Sequence, residues 1–390
     1  CALYIFSTAG LGLFIATIAR NLAQVGMLTI LVLAPMLFLS GAWTPPEAMP
    51  FWLAKAMVIS PLHHFMDIAF GILLKNQDAR SLAEPIAILA VIGVLLLPTV
   101  ASLLADIRDE VENGRGFMLM RGFPRARYSD ADCELVYWGL GMHLGMPVSQ
   151  NARGHLLGHV RDEGGSITDP NTRAYQTNMR MDFHTDVLPV DILGLFCLRT
   201  AKSGGASKLV SALTVHNILR EERPDLLEEL YGTFHLDWRG EEPAGETPWF
   251  SLPMFSEADG RITTRICSLP YYDSAARFGE QYKPTAKQRE ALVLVQEIAN
   301  RPEIMLSMSF EEGDMQLINN HIMLHAREAY VDFDEAGRER HLLRMWIAVD
   351  DAHRRPLAPS LADRYRVVQN GGIPFNAAHT PAHAAAQKTA

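Results

Sequence analysis

The 390-residue chain carries a net charge of −9, which argues against a chain-wide nucleic-acid surface, since such a footprint is basic. Its four cysteines, Cys1, Cys133, Cys197 and Cys267, contain no CxxC pair. That argues against a disulfide framework or a zinc ribbon and fits a reducing compartment.

Up to residue 105 charges are sparse and three apolar runs stand out, at 3–19, 25–39 and 85–105. A bilayer core about 30 Å thick needs roughly 20 apolar residues, so the third run is long enough and the first two are marginal. Buried helices of a large α domain are the alternative. The stretch between the second and third runs holds Trp43, Trp52 and several prolines, and suits an interfacial or re-entrant segment. The chain opens on Cys1 rather than Met, as expected of a fragment or of a chain whose true start is removed. No basic region precedes the first apolar run, so a signal peptide is not expected.

After Asp106 the texture becomes charged and mixed. "SDADCELVYWGLGMHLG" predicts a helix with Ser129 as N-cap and Asp132 in its first turn. "PTAKQREALVLVQEIAN" predicts another, with Thr285 and Gln288 spaced as a capping box. "ILGLFCLR", "DMQLIN" and "HLLRMWIAV" read as strands. A β-rich soluble domain is expected from about 106 to 370. The Ala-rich segment 371–390 is expected to be a disordered tail, with His379 and His383 idle.

In "RMDFHTDVLPVD", His184 and Asp186 sit two apart. On a strand such residues project to one face, offering an imidazole nitrogen and a carboxylate oxygen together. Alone they also fit a hydrogen-bonded surface pair. Two histidines and one carboxylate suit non-heme Fe(II), so a third ligand must come from elsewhere. His325 in "GDMQLINNHIMLHAR" is the candidate. A rival pairs His321 with His325 at helical spacing, as in a zincin, although no Glu follows His321 and the Gly-Asp and Asn-Asn turns argue against a helix. Arg340 and Arg344 stand at the mouth of a strand, and a guanidinium suits bidentate capture of a carboxylate. His155, His159, His216, His235 and His341 read as structural. Tyr175 and Asn178 are candidates to line a substrate pocket.

Two resemblances follow from these segments. "IATIAR", "LSG", "PPEAMPFWL" and "PLHHFMDIAFGILLK" resemble the C-terminal part of an ABC-2 type transporter permease over residues 1–105. That implies an α-helical transmembrane segment in contact with the lipid bilayer, and an ABC ATPase on another chain as partner. "FHTD", "AKSGGASKLVS", "GDMQLINNHIMLHAR" and "RHLLRMWI", in this order, resemble TauD/TfdA-like Fe(II)/2-oxoglutarate dioxygenases over residues 106–350. This resemblance implies an α+β, mainly β domain built as a double-stranded β-helix, or jelly roll. It further implies that His184, Asp186 and His325 bind Fe(II), that Ser207 touches 2-oxoglutarate, and that Arg340 grips the far carboxylate of that cosubstrate. Arg344 matches a second arginine facing cosubstrate or substrate, and projects with Arg340 to one side of a shared strand. Gly204 and Gly205 would admit close backbone approach. The implied reaction uses O2, converts 2-oxoglutarate to succinate and CO2, and hydroxylates an unactivated C–H bond of a small molecule. The expected location is a membrane-held N-terminal part with a cytoplasmic dioxygenase domain. The alternative is an exporter component carrying an inactive dioxygenase-like binding module, or an artefactual joining that leaves a cytoplasmic enzyme.

Overall fold

The computed structural model describes residues 60–73, 81–165, 173–350, 353–368 and 371–376, with scattered positions between 30 and 57. It divides into two compact units, 1–106 and 107–390. In the first unit the described helices are Pro61–Leu73 and the start of Ala83–Glu112. The apolar runs at 3–19 and most of 25–39 lie outside the described residues. Among the described residues no helix is long and apolar enough to cross a membrane. The division between the units falls one residue from the expected boundary at 105/106, within the span of the helix Ala83–Glu112.

The second unit has mixed helix and strand content around a β-rich core. Its principal strands are β1 (Phe117–Met120), β2 (Met146–Val148), β3 (Leu157–Val160), β4 (Met181–His184), β5 (Ile192–Arg199), β6 (Ser207–Ser211), β7 (Leu306–Met308), β8 (Met315–Asn319), β9 (Met323–Arg327) and β10 (His341–Ala348). An antiparallel sheet runs β1-β8-β5-β10-β2, with β3 also on β10; a second runs β7-β6-β9-β4. Short ribbons pair 234–237 with 249–252, 255–258 with 261–264, and 203–204 with 330–331.

The predicted strands "ILGLFCLR", "DMQLIN" and "HLLRMWIAV" are β5, β8 and β10, the middle of the larger sheet. They read as near-continuous apolar runs because both faces are covered. Register places Leu193, Leu195 and Cys197 of β5 beside Trp346, Arg344 and Leu342 of β10 on one face. The opposite face meets the helix Asp130–Leu144, whose Tyr137 ring lies 5.4 Å from that of Phe196. Gly194 leaves the space Tyr137 fills. Burial of a side chain as large as Phe196, which is fully enclosed, contributes about 1.5–3 kcal/mol.

Both predicted helix starts form as capping boxes, Ser129 with Asp132 and Thr285 with Gln288. The helices Ala212–Glu222, Pro224–Leu230 and Ala286–Ala299 share one apolar cluster with both sheets, through Val215, Leu230, Val295, Leu324 and Trp346. At the free edge of the smaller sheet, Gln296 accepts from Phe183 N–H at 3.0 Å and donates to its carbonyl at 2.7 Å. A helix side chain thus satisfies the edge next to His184. Residues 371–376 of the expected tail pack on the domain, since Ile373 is buried and its N–H donates to Ser149 O at 2.8 Å. Residues 377–390 lie outside the described residues.

Candidate metal centre

β4 ends on His184 and β9 carries His325 directly opposite it in register. Both imidazoles therefore leave the same face of the smaller sheet, with ring centroids 4.1 Å apart. Asp186 follows β4, its Oδ1 4.0 Å from His184 Nε2. One donor atom from each of the three residues lies within 4.8 Å of the others. His184 Nδ1 donates to Asp182 O at 2.8 Å, which leaves the Nε2 lone pair free for a cation. Burial lowers the pKa of His184, and burial together with the neighbouring His184 ring lowers that of His325 to about 3. Burial would raise Asp186, but Arg344, His325, His184 and the Trp346 indole together hold it below the usual carboxylate range. Two neutral imidazoles and one carboxylate are the protonation states a divalent cation requires.

The surroundings fix Asp186 from two directions. Its main chain is clasped by Asn320, which accepts from Asp186 N–H at 2.9 Å and donates to Asp186 O at 2.7 Å. Its side chain accepts from Trp346 Nε1 at 2.5 Å through Oδ2, leaving Oδ1 toward the histidines. Arg344 Nη1 stands 3.9 Å from the same Oδ2. Gln150 orients Arg344, accepting from its Nε at 2.7 Å, and Tyr175 underlies the guanidinium at 4.3 Å. Trp346 is two residues beyond Arg344, and strand alternation carries both to the metal-facing side.

His321 is not a ligand. Its Nε2 lies 2.7 Å from Asp191 Oδ1 and its Nδ1 3.1 Å from Arg265 Nη2. With Nε2–H donating to the carboxylate and Nδ1 accepting from the guanidinium, both nitrogens are committed. Burial and then the Arg265 charge push its pKa down to about 3. The rival pair also fails geometrically, because His325 lies on a strand. The other histidines have ordinary partners: His155 contacts Asn151, His159 pairs with His341 at 2.9 Å, His216 with Tyr231, and His235 with Ser251.

Arg340 and Arg344 do not share a strand or a cavity. β10 begins at His341, after Arg340, and its pairing with β5 is irregular at His341/Leu342. Arg344 lines a cavity with Tyr175, His184, Asp186, Trp238 and Tyr271, whereas Arg340 lines another with Cys197, Gly204, Gly205 and Leu342. Gly205 has φ +73°, and a Cβ there would lie 3.3 Å from Arg340 Nε, so the turn is tight against the guanidinium. Ser207, buried, opens β6 opposite Arg327. Tyr175 lines the first cavity as expected. Asn178 contributes its carbonyl to Tyr330 N–H instead. Cys267 also lines the first cavity, its thiol pushed up to about 12 by burial and therefore inert. Gln150, Asn320, Arg327 and Trp346 were not marked by the sequence motifs. The period of two gives a signal only for Arg327 and Trp346, each two residues beyond a marked position.

Residues 82–346 match the model of the taurine catabolism dioxygenase TauD, TfdA family. The chain belongs to that family. It is accordingly an Fe(II)/2-oxoglutarate-dependent dioxygenase, with Fe(II), 2-oxoglutarate and O2 as its cofactor set. Residues 1–74 match the ABC-2 type transporter model. The dioxygenase is 35% identical over 268 residues to FR-33289 synthase of Streptomyces rubellomurinus, covering 68% of this chain and 78% of that protein. It is 30% identical over 278 residues to the taurine hydroxylase-like protein SAT17 of Stachybotrys chartarum, covering 68% and 69%. The N-terminal segment is 44% identical over 75 residues to the inner membrane transport permease YhhJ of Escherichia coli, covering 19% of this chain and 20% of the permease. A solved asparagine oxygenase with Fe(II), 2S,3S-3-hydroxyasparagine and succinate aligns at 15% identity and TM-score 0.48, over 80% of this chain and 89% of that one.

Replacing Trp346 by Phe removes the hydrogen bond to Asp186 and keeps the ring. Metal affinity is expected to fall by about ten- to a hundredfold, as for other groups that orient a ligand, measured by anaerobic Fe(II) or Mn(II) titration. The buried histidines set a pH response. His321 and His325 titrate near 3 and His341 near 4 in the folded chain, against about 6.5 unfolded. The unfolded state binds more protons between these values, so stability is complete above about pH 6.5 and declines as pH falls toward 3. Thermal midpoints of the metal-free protein should drop through this window, and less steeply in His321→Gln.

Proposed function

We propose that the chain hydroxylates an unactivated C–H bond of a small molecule, coupled to conversion of 2-oxoglutarate to succinate and CO2. The observation that carries this reading is the convergence of His184, Asp186 and His325 donor atoms within 4.8 Å, beside a cavity. Iron bound there supplies the oxidising chemistry. The protein presents two neutral imidazoles and one carboxylate, and Trp346 occupies the carboxylate oxygen turned away from the histidines. His184, Asp186 and His325 would hold the iron, a set of two histidines and one carboxylate suited to non-heme Fe(II). Arg340, beside the Gly204–Gly205 turn, would hold the far carboxylate of 2-oxoglutarate, with Ser207 nearby as hydroxyl donor. Arg344, anchored by Gln150, would face the substrate cavity. The walls of that cavity, including Trp238, Phe250 and Tyr271, would exclude water and position the reacting carbon. The two antiparallel sheets would be the halves of a double-stranded β-helix, with the metal between them.

Residues 1–105 are proposed to associate with the lipid bilayer, with an ABC ATPase as partner and the dioxygenase domain in the cytoplasm. The identity with the permease supports this. The exporter reading with an inactive binding module has less support, since a module without catalysis has no need of a complete ligand set plus Arg340.

Aerobic incubation with Fe(II), 2-oxoglutarate and candidate substrates should give succinate from the wild type and at least about a hundredfold less from His184→Ala, which lacks a ligand. Equal succinate from both would overturn the enzyme reading. Alkaline carbonate washing of membranes should leave the full chain in the pellet; recovery in the wash would refute integral association.

A further inference from the structure

Arg327 lies two residues beyond His325 on β9, so alternation carries it to the face that holds the metal ligands. It is buried, 7% exposed, opposite Ser207 in register. Its Nη2 donates to Thr177 O at 2.8 Å and to Met179 O at 2.5 Å. Its Nε and Nη1 are enclosed without a hydrogen-bond partner, as is Nη1 of Arg340. The two guanidinium carbons stand 4.8 Å and 5.0 Å from the centroid of one ring, that of Tyr330. Asp332, which accepts from the Arg340 main-chain N–H, and Asp162 act on Arg327 through space, as Asp332 does on Arg340, while Nε and Nη1 of Arg327 and Nη1 of Arg340 have no hydrogen-bond partner.

Two buried cations over one ring, with unused N–H groups, are costly to keep unless an anion neutralises them. A simple loop staple accounts for Nη2 of Arg327 and for none of its other nitrogens. The loop it holds is the one that reaches the substrate cavity, through Ala174, Tyr175 and Arg180. Tyr175 in turn lies under Arg344.

Resting on the cosubstrate assignment above, we propose that Arg327 is a second guanidinium for the distal carboxylate gripped by Arg340. Through Thr177 and Met179 it ties occupancy of the cosubstrate site to the order of the loop 173–180. A dicarboxylate 2-oxo acid then both fills the site and sets the wall of the substrate cavity. A 2-oxo acid without the distal carboxylate would still chelate the metal but would not engage the two guanidiniums or set that wall.

The test is an anaerobic titration of the Fe(II)-loaded full chain with 2-oxoglutarate and with 2-oxopentanoate. The latter has the same carbon chain without the distal carboxylate. Binding is followed by the visible charge-transfer absorption of the iron–2-oxo acid chelate. Arg327→Met is expected to weaken 2-oxoglutarate about tenfold or more and 2-oxopentanoate less than about twofold, with Arg327→Lys recovering part of the loss. Hydrogen exchange across 173–180 should slow on adding 2-oxoglutarate in the wild type and remain unchanged in Arg327→Met. Equal loss for both ligands, or no loss, overturns the assignment and leaves Arg327 a loop staple. If Arg327→Met loses both ligands outright, Arg327→Lys decides: weakened 2-oxoglutarate with unchanged 2-oxopentanoate supports the assignment, and equal loss or no loss there overturns it. No absorption with 2-oxoglutarate in the wild type would overturn the cosubstrate reading itself, and this assignment with it.

Discussion

The cross-strand pairing of His325 with His184 is the constraint on which the rest of the centre depends. Side chains on a strand alternate, so a slip of one residue between β4 and β9 would turn one imidazole to the opposite face. Register is fixed from several sides at once. Gln296 closes the edge of β4 at Phe183, Thr185 N–H donates to Ile266 O at 2.7 Å, and Asn320 clasps Asp186. Each of these groups comes from a different part of the chain. The ligand triad is therefore a product of the whole fold of the second unit and not of the local "FHTD" segment.

Charge is the second organising influence. The interior holds Asp186, Asp191, Arg265, Arg327, Arg340 and Arg344, all buried or nearly so. Arg344 is anchored by Gln150 beside Asp186, and the others fall into two groups. Asp191, His321 and Arg265 bond to one another, with Tyr365 donating to Asp191 at 2.7 Å, and this network secures the turn that carries Asn320. Asp186 and the pair Arg327 and Arg340 are incompletely matched by protein. The carboxylate and its histidines present a lone-pair-rich cluster, while the two guanidiniums present unused donors. The proposed cosubstrate, with a metal-binding end and a carboxylate end, would use both the ligand cluster and the guanidiniums.

Much of this was legible in the residues. The helix starts at Ser129 and Thr285 were readable because capping is a local interaction. β5, β8 and β10 were readable as apolar runs. His184, Asp186 and His325 were placed by their resemblance to family segments, and the structure brings them together. What the sequence did not carry are contacts set by tertiary register. The separation of Arg340 from Arg344 depends on where β10 begins and on an irregularity opposite Leu198, neither of which has a local signal. Gln150 reaches Arg344 across 194 positions.

The central claim is that one cation and one 2-oxo dicarboxylate share the interior between the two sheets. A crystal structure of the full chain grown anaerobically with Mn(II) and 2-oxoglutarate tests it most directly. The account predicts one ion bound by His184, Asp186 and His325, with the distal carboxylate against the guanidinium of Arg340. An ion held by any other residues, or a cosubstrate whose distal carboxylate points away from Arg340, would contradict it.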